Sequence, residues 1–317
     1  MPALGTCRCR RVAVSLFLLL IGPKLLLVGQ QIPDCLKRTL VVNVRDRTGQ
    51  LVGGLNPSFF WATLQGQQVK ISSATVRAGP RRIVLLLDAS GSVNKENHKL
   101  DTARLIAGNL LLKAPAGLHP ALVVFSDHII DTVDFSRPPS EIVLRLADLK
   151  EGRGRTALVD ALMYSAKLLQ PSLPGDAVYL ISDGGENSSR THLRDVKREF
   201  LAKGIRVFAF RLPENRDLRA EEELSEPILK ELTIATGGTI VDFDDGSSAR
   251  DRDRLRAVLD CAYDEMAHFY EVEVELPSSL KKERRWVLEI VDEHGKKRKD
   301  LQVSYPQELF PCSIEPE

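Results

Sequence analysis

The sequence predicts an α/β chain in which a doubly wound, mostly parallel sheet is preceded and followed by β segments. Three observations carry that reading. Between Arg81 and Tyr270, apolar strand-like runs alternate with stretches of helical period. Ile83-Val84-Leu85-Leu86-Leu87 is continuously apolar, as a central strand covered on both faces should be. Outside those limits apolar residues recur at every second position, the period of a half-buried strand.

The first thirty residues stand apart. Arg8, Arg10 and Arg11 precede an apolar run from Val12 to Gly29, broken by Gly22-Pro23-Lys24 and followed by Gln30-Gln31. A basic flank, a short apolar core and a polar exit read as a secretory signal over 1–30. The competing reading is an uncleaved anchor. The break leaves only about eleven uninterrupted apolar residues, short of the ~20 a spanning helix needs. The mature chain is therefore expected without a membrane span and outside the cytoplasm, secreted or periplasmic.

An N-terminal β segment is expected over 31–79. Leu40, Val42 and Val44 alternate with Val41, Asn43 and Arg45, Asp46-Arg47-Thr48-Gly49 supplies a turn, and further strands follow at Phe59–Leu64 and Gln68–Val76. Ala78-Gly79-Pro80 is a plausible boundary. The α/β part, 80–269, opens with Ile83–Leu87. Helices are expected at Asn94–Lys113, Ser140–Leu149, Ala157–Leu169, Thr191–Lys203, Glu222–Thr236 and Asp251–Phe269. The strands between them are Ala121–Phe125, Ile129–Phe135 as an edge partner, Ala177–Ile181, Arg206–Phe210 and Thr239–Phe243. A C-terminal β segment, 270–317, carries Val272, Val274 and Leu276 alternating with Glu271, Glu273 and Glu275, then Trp286–Val291 and Leu301–Tyr305. Each flank, at roughly 45 residues, is near the limit for a core of its own. Together they approach the ~100 residues of an immunoglobulin-like sandwich, so the flanks are expected to pack as one β-sandwich with the α/β part inserted between them.

Charge and cysteine usage narrow the function classes. Lys and Arg number 44 against 43 Asp and Glu, which gives no long-range pull toward nucleic acid or anionic lipid. The runs Lys281-Lys282-Glu283-Arg284-Arg285 and Lys296-Lys297-Arg298-Lys299 read as charged strand ends that guard against edge pairing. Of five cysteines, Cys7 and Cys9 fall in the signal, leaving Cys35, Cys261 and Cys312. None forms a CxxC pair, which argues against zinc or thioredoxin-type chemistry. If the flanks pack together, Cys35 and Cys312 become disulfide partners, and Cys261 is expected buried and reduced in the last helix. Gly152-x-Gly154-x-x-Ala157 resembles a dinucleotide fingerprint, but no apolar strand leads into it. No P-loop, G-x-S-x-G or H-E-x-x-H occurs.

The constellation that carries chemistry lies at strand ends. The first α/β strand ends in Asp88-Ala89-Ser90-Gly91-Ser92, Thr156 closes the loop Gly152–Thr156 before a helix, and the strand Ala177–Ile181 ends in Ser182-Asp183-Gly184. Ligands of doubly wound sheets sit at such carboxyl ends. Each piece alone reads as an N-cap or a turn. Together they bring two carboxylates and three hydroxyls to one rim, a hard oxygen set suited to Mg²⁺ or Mn²⁺.

On those residues the stretch from 81 to about 268 resembles a von Willebrand factor A (vWA) domain, a Rossmann-like module. Asp88, Ser90 and Ser92 match its D-x-S-x-S, Thr156 its single threonine, and Asp183 the aspartate of its T/S-D-G. The resemblance implies a metal-ion-dependent adhesion site in which those five residues hold Mg²⁺, directly or through water, and in which a partner protein often supplies an Asp or Glu to the metal. The stretch Val41–Leu55, followed by Phe59, is similar to the entry segment of exported bacterial vWA-related proteins. The function expected is thus metal-dependent recognition of a protein ligand, without catalysis. The alternatives are a metal-dependent hydrolase, for which Glu186 is the acid to test as a base, and a structural subunit of an exported assembly.

Overall fold

The computed structural model describes residues 35–78, 82–93, 99–113, 118–150, 154–212, 225–242 and 249–311. The chain divides into Met1–Pro33 and Asp34–Glu317. The first unit, and the signal segment with it, lies outside the described residues.

The described chain opens with β1 (Lys37–Arg45), β2 (Phe60–Leu64) and β3 (Gln67–Ala78). Gln65 and Gly66, both at positive φ, form the tight turn between β2 and β3. Next come β4 (Arg82–Asp88), α1 (Lys99–Lys113), β5 (His119–Phe125), β6 (Ile129–Val133), α2 (Pro139–Asp148) and α3 (Leu158–Leu168). They are followed by β7 (Ala177–Ser182), α4 (Leu193–Lys203), β8 (Arg206–Arg211), α5 (Ser225–Thr236), β9 (Ile240–Asp242) and α6 (Ala249–Ala267). The chain then returns to strands: β10 (His268–Glu275), β11 (Arg284–Ile290), β12 (Gln302–Ser304) and β13 (Glu308–Leu309).

The α/β sheet runs β6-β5-β4-β7-β8-β9. All neighbours are parallel except β6, which lies antiparallel on β5 as the expected edge partner. Alternation along β4 explains its continuous apolar run. Ile83, Leu85 and Leu87 enter one core with Ile106, Leu110, Ile142 and Leu259, while Val84 and Leu86 enter a second core with Leu162, Val196, Phe200 and Leu232. Helices α1, α2 and α6 therefore cover one face, and α3, α4 and α5 the other. The chain leaves β4 for β5 on one side and later returns to β7 on the other, so strand order reverses between β4 and β7.

The flanks interleave in one antiparallel sheet of order β12-β1-β10-β3-β2-β11-β13. Neither flank completes the sheet alone, since β10 sits between β1 and β3. This sheet curls into a half-barrel where the sequence had suggested two facing sheets. Right-handed twist favours curling, and bulky residues fill the concave side. Val42, Val44, Leu64, Tyr270, Val272, Val274, Trp286 and Leu288 share that core. Tyr305, just past β12, reaches the other side of the curl: its ring meets Trp286 edge-on at 5.3 Å, and its hydroxyl accepts from Leu288 N at 3.2 Å. β13, which the sequence reading did not foresee, pairs with the start of β11.

Helix α6 passes into β10 with no loop, and β10 pairs with β3 as far as His268↔Ala78. At this junction Arg206 is fully buried. Its guanidinium donates to Asn43 Oδ1 (2.9 Å), Glu265 O (3.0 Å) and Met266 O (3.0 Å), and lies over the rings of Phe208 and Phe269. It thus satisfies last-turn carbonyls of α6 while tying β8 to β1. Asn43 Nδ2 reinforces the contact by donating to Glu265 O and His268 O.

Two cysteine expectations meet the structure differently. Cys35 is disulfide-bonded, but Cys312 lies outside the described residues, so the expected pairing is not placed. Cys261 is exposed, not buried. The packed stripe of α6 is Leu255, Leu259, Ala262 and Met266, which turns the neighbouring Cys261 outward. The two basic runs sit at opposite ends of β11, with Arg285 paired to Glu308, Lys297 to Glu289 and Arg298 to Asp300. Among the described residues no helix is long and apolar enough to cross a membrane.

Candidate metal centre

The site is built where strand order reverses, at the carboxyl ends of β4 and β7. Asp88, the last residue of β4, is fully buried, as is Ser90. Ser90 N donates to Asp88 Oδ1 at 2.8 Å, and Ser182 Oγ donates to Asp88 Oδ2 at 2.5 Å. Ser182 Oγ in turn accepts from Gly184 N at 2.9 Å. Ser90 Oγ and Ser92 Oγ lie 3.2 Å apart, Ser92 half-buried at the rim. A short link closes this loop onto its neighbour: Gly91 N donates to Gly154 O at 3.2 Å, and a side chain at Gly91 would crowd that oxygen at 3.3 Å.

Thr156 is buried just before α3. Its N–H donates to Asn187 Oδ1 at 2.9 Å, and its carbonyl accepts from Asn187 N and Ser188 N. These bonds hold it against the loop that follows Asp183. A Cβ added to Gly185 would lie 3.3 Å from Thr156 Oγ1 and 3.7 Å from Asp183 Oδ1, so both oxygens border one small space that only glycine leaves open. The other oxygen of Asp183 is taken by Lys99, whose Nζ stands 2.9 Å from Oδ2 with both side chains 2% exposed.

Electrostatics mark the same spot. Burial, and then the charge of neighbouring Asp183, push the Asp88 carboxyl well above the ordinary carboxylate range, although hydrogen bonds from Ser182 and Ser90 oppose the shift. Two carboxylates are held together in a dry site with one ammonium, that of Lys99, on Asp183. Two acids and three hydroxyls, all hard oxygen donors, fit Mg²⁺ or Mn²⁺. Among the described residues no group of three or more His, Cys, Asp or Glu could hold a metal, so a cation at this rim would need the hydroxyls in its donor set.

All five residues singled out by the sequence lie on this rim. The structure brings Asp88 together with Ser90 and Ser92, and Asp183 together with Thr156. Glu186, the acid considered as a base, serves otherwise. Its Oε1 accepts from Ser188 N and Ser189 N, and its Oε2 from Val159 N and Ser189 Oγ, so it caps α3. Sequence reasoning missed Lys99, Ser182 and Asn187 as parts of the site. A signal existed only for Ser182, which stands in the Ser-Asp-Gly motif.

Residues 36–223 match the profile of a family described as VWA domain containing CoxE-like protein. The chain belongs to this family. The match to the CoxE-like VWA profile spans β1 to β8 and takes in all five rim residues. None of the curated proteins matches this CoxE-like VWA chain. Among solved structures it is similar to a von Willebrand factor type A protein from Catenulispora acidiphila, at 12% identity and TM-score 0.47, covering 86% of this chain and 72% of that one. A second is proximal thread matrix protein 1 from the mussel byssus with a zinc-occupied MIDAS motif, at 16% identity and TM-score 0.49, covering 62% of this chain and 49% of that one. A third is the conserved hypothetical protein BatB from Bacteroides thetaiotaomicron, at 17% identity and TM-score 0.40, covering 56% and 97%.

Proposed function

We propose that this VWA protein binds Mg²⁺ or Mn²⁺ through Asp88, Ser90, Ser92, Thr156 and Asp183, and that the ion holds an acidic side chain of a partner protein. The observation that carries the reading is the pair of buried carboxylates at the strand-order reversal, bordered by three hydroxyls. When bound, the ion supplies a hard, positively charged contact for a carboxylate. Asp88 and Asp183 provide the charge that retains it. Ser90, Ser92 and Thr156 are neutral, so they orient without cancelling that contact. The site is proposed to recognise and not to catalyse. In support, Glu186 has both oxygens committed to backbone and Ser189 donors. An extracytoplasmic setting is proposed from the signal-like N-terminus and the disulfide at Cys35, which an oxidising compartment permits.

Calorimetry with MgCl₂ on metal-stripped protein, together with capture of partners from an exported fraction in Mg²⁺ and in EDTA, tests the reading. Asp88→Ala is expected to abolish metal and partner binding together, and Thr156→Ala to weaken both less, because it removes a neutral ligand. Partner capture undiminished by EDTA would sink the metal as the contact.

A further inference from the structure

Lys99 is the first described residue of α1, and lysine side chains are almost never fully buried unless paired, yet this one is 2% exposed with its ammonium 2.9 Å from Asp183 Oδ2. A buried ammonium is costly to desolvate unless a charge partner compensates it. Here the partner belongs to the metal centre itself. The two oxygens of Asp183 are divided, Oδ2 to Lys99, and Oδ1, which accepts from Gly185 N at 3.4 Å, to the space beside Thr156 Oγ1. A cation can therefore approach Oδ1 while Lys99 keeps Oδ2.

We infer that Lys99 is a fixed internal counter-ion of the centre: it balances Asp183 beside the buried Asp88 when no metal is bound, and it makes the loaded centre select an anionic ligand. This rests on the metal reading above. Without Lys99, Asp88 and Asp183 carry two negative charges, which a divalent cation would cancel, leaving a neutral site. With both carboxyls ionised against a bound divalent cation, Lys99 gives the loaded centre one net positive charge. The ammonium thus opposes the metal by like-charge repulsion inside a poorly screened site, and rewards a carboxylate that restores neutrality. A lysine present only for packing would affect stability and leave metal affinity alone.

Lys99→Met keeps the length of the side chain and removes the charge, whereas Lys99→Arg keeps the charge. Titration of stripped protein with MgCl₂, with and without sodium acetate as the anionic probe, is read alongside thermal melting in EDTA and in Mg²⁺. Lys99→Met is expected to bind Mg²⁺ about tenfold more tightly than wild type. It should also melt lower in EDTA and recover in Mg²⁺, because the metal replaces the missing charge. Acetate should tighten Mg²⁺ binding to wild type and to Lys99→Arg, and do so less for Lys99→Met. A folded Lys99→Met with unchanged or weaker Mg²⁺ affinity overturns the inference. So does an absence of acetate enhancement in wild type, a result that needs no variant. Wild type that binds no Mg²⁺ at all fails the metal reading itself, a distinguishable result.

Discussion

Asp88 takes hydrogen bonds from Ser90 and from Ser182, and the less obvious partner is Ser182. Its hydroxyl donates to Asp88 Oδ2 and accepts from Gly184 N, so Ser182→Ala strips a partner from two buried groups at once. That change should destabilise the fold by about 1–3 kcal/mol in denaturant unfolding. Mg²⁺ binding should survive in weakened form, because the ligands stay in place while Asp88 loses its tether. Unchanged stability would show that Ser182 does not fix Asp88. The five rim residues were legible in the sequence because D-x-S-x-S, a loop threonine and S-D-G each end a strand or precede a helix. Lys99 was not legible. A lysine in a helix reads as solvated, and only the fold shows that this one is buried against Asp183.

At the scale of an element, α3 depends on a cap borrowed from another loop. Ala157 precedes the helix and offers no side-chain cap, while Glu186 accepts from Val159 N in the first turn. Glu186→Ala is expected to cost about 1–2 kcal/mol, the range of a lost N-cap, visible as a lower melting temperature. If Glu186 were a general base instead, Glu186→Ala would leave melting unchanged and abolish a turnover. Helices and strands of the α/β part were legible from period alone, with boundaries close to those observed. The passage from α6 to β10 was placed late, at Phe269 and not Ala267, since helical and strand readings compete over His268-Phe269-Tyr270. Pairing with Arg77 and Val76 of β3 decides it for the strand. The half-barrel was legible only as alternation. Period two tells which face is buried but not whether a sheet will curl upon itself or face another, and the short β13 is below the length at which alternation can be read.

At the scale of the described molecule, the α/β part and the half-barrel meet at a buried cation, Arg206, beside the pairs Arg45–Asp264 and Lys197–Glu308. Arg206→Met removes the donors to Asn43 Oδ1 and to the last-turn carbonyls of α6, and should cost about 3 kcal/mol or more. Both tryptophans, Trp61 and Trp286, lie in the half-barrel, whereas all six described α-helices belong to the α/β part. Tryptophan fluorescence and far-ultraviolet circular dichroism thus follow different halves. Their unfolding curves should coincide in wild type and separate in Arg206→Met. Coincident curves in the variant would mean that the halves are coupled by other contacts. The pairing of Ala78 with His268 has a different kind of consequence. Both ends of the α/β part leave from adjacent strands, about 5 Å apart, the spacing a hairpin turn spans. In a gene, such a module can be gained or lost in one event without disturbing the host sheet. A chain with 79–267 replaced by Asn-Gly should then retain β3 and β10 as an ordinary hairpin. Its survival as an all-β protein, by circular dichroism, would show that the half-barrel folds without the α/β part.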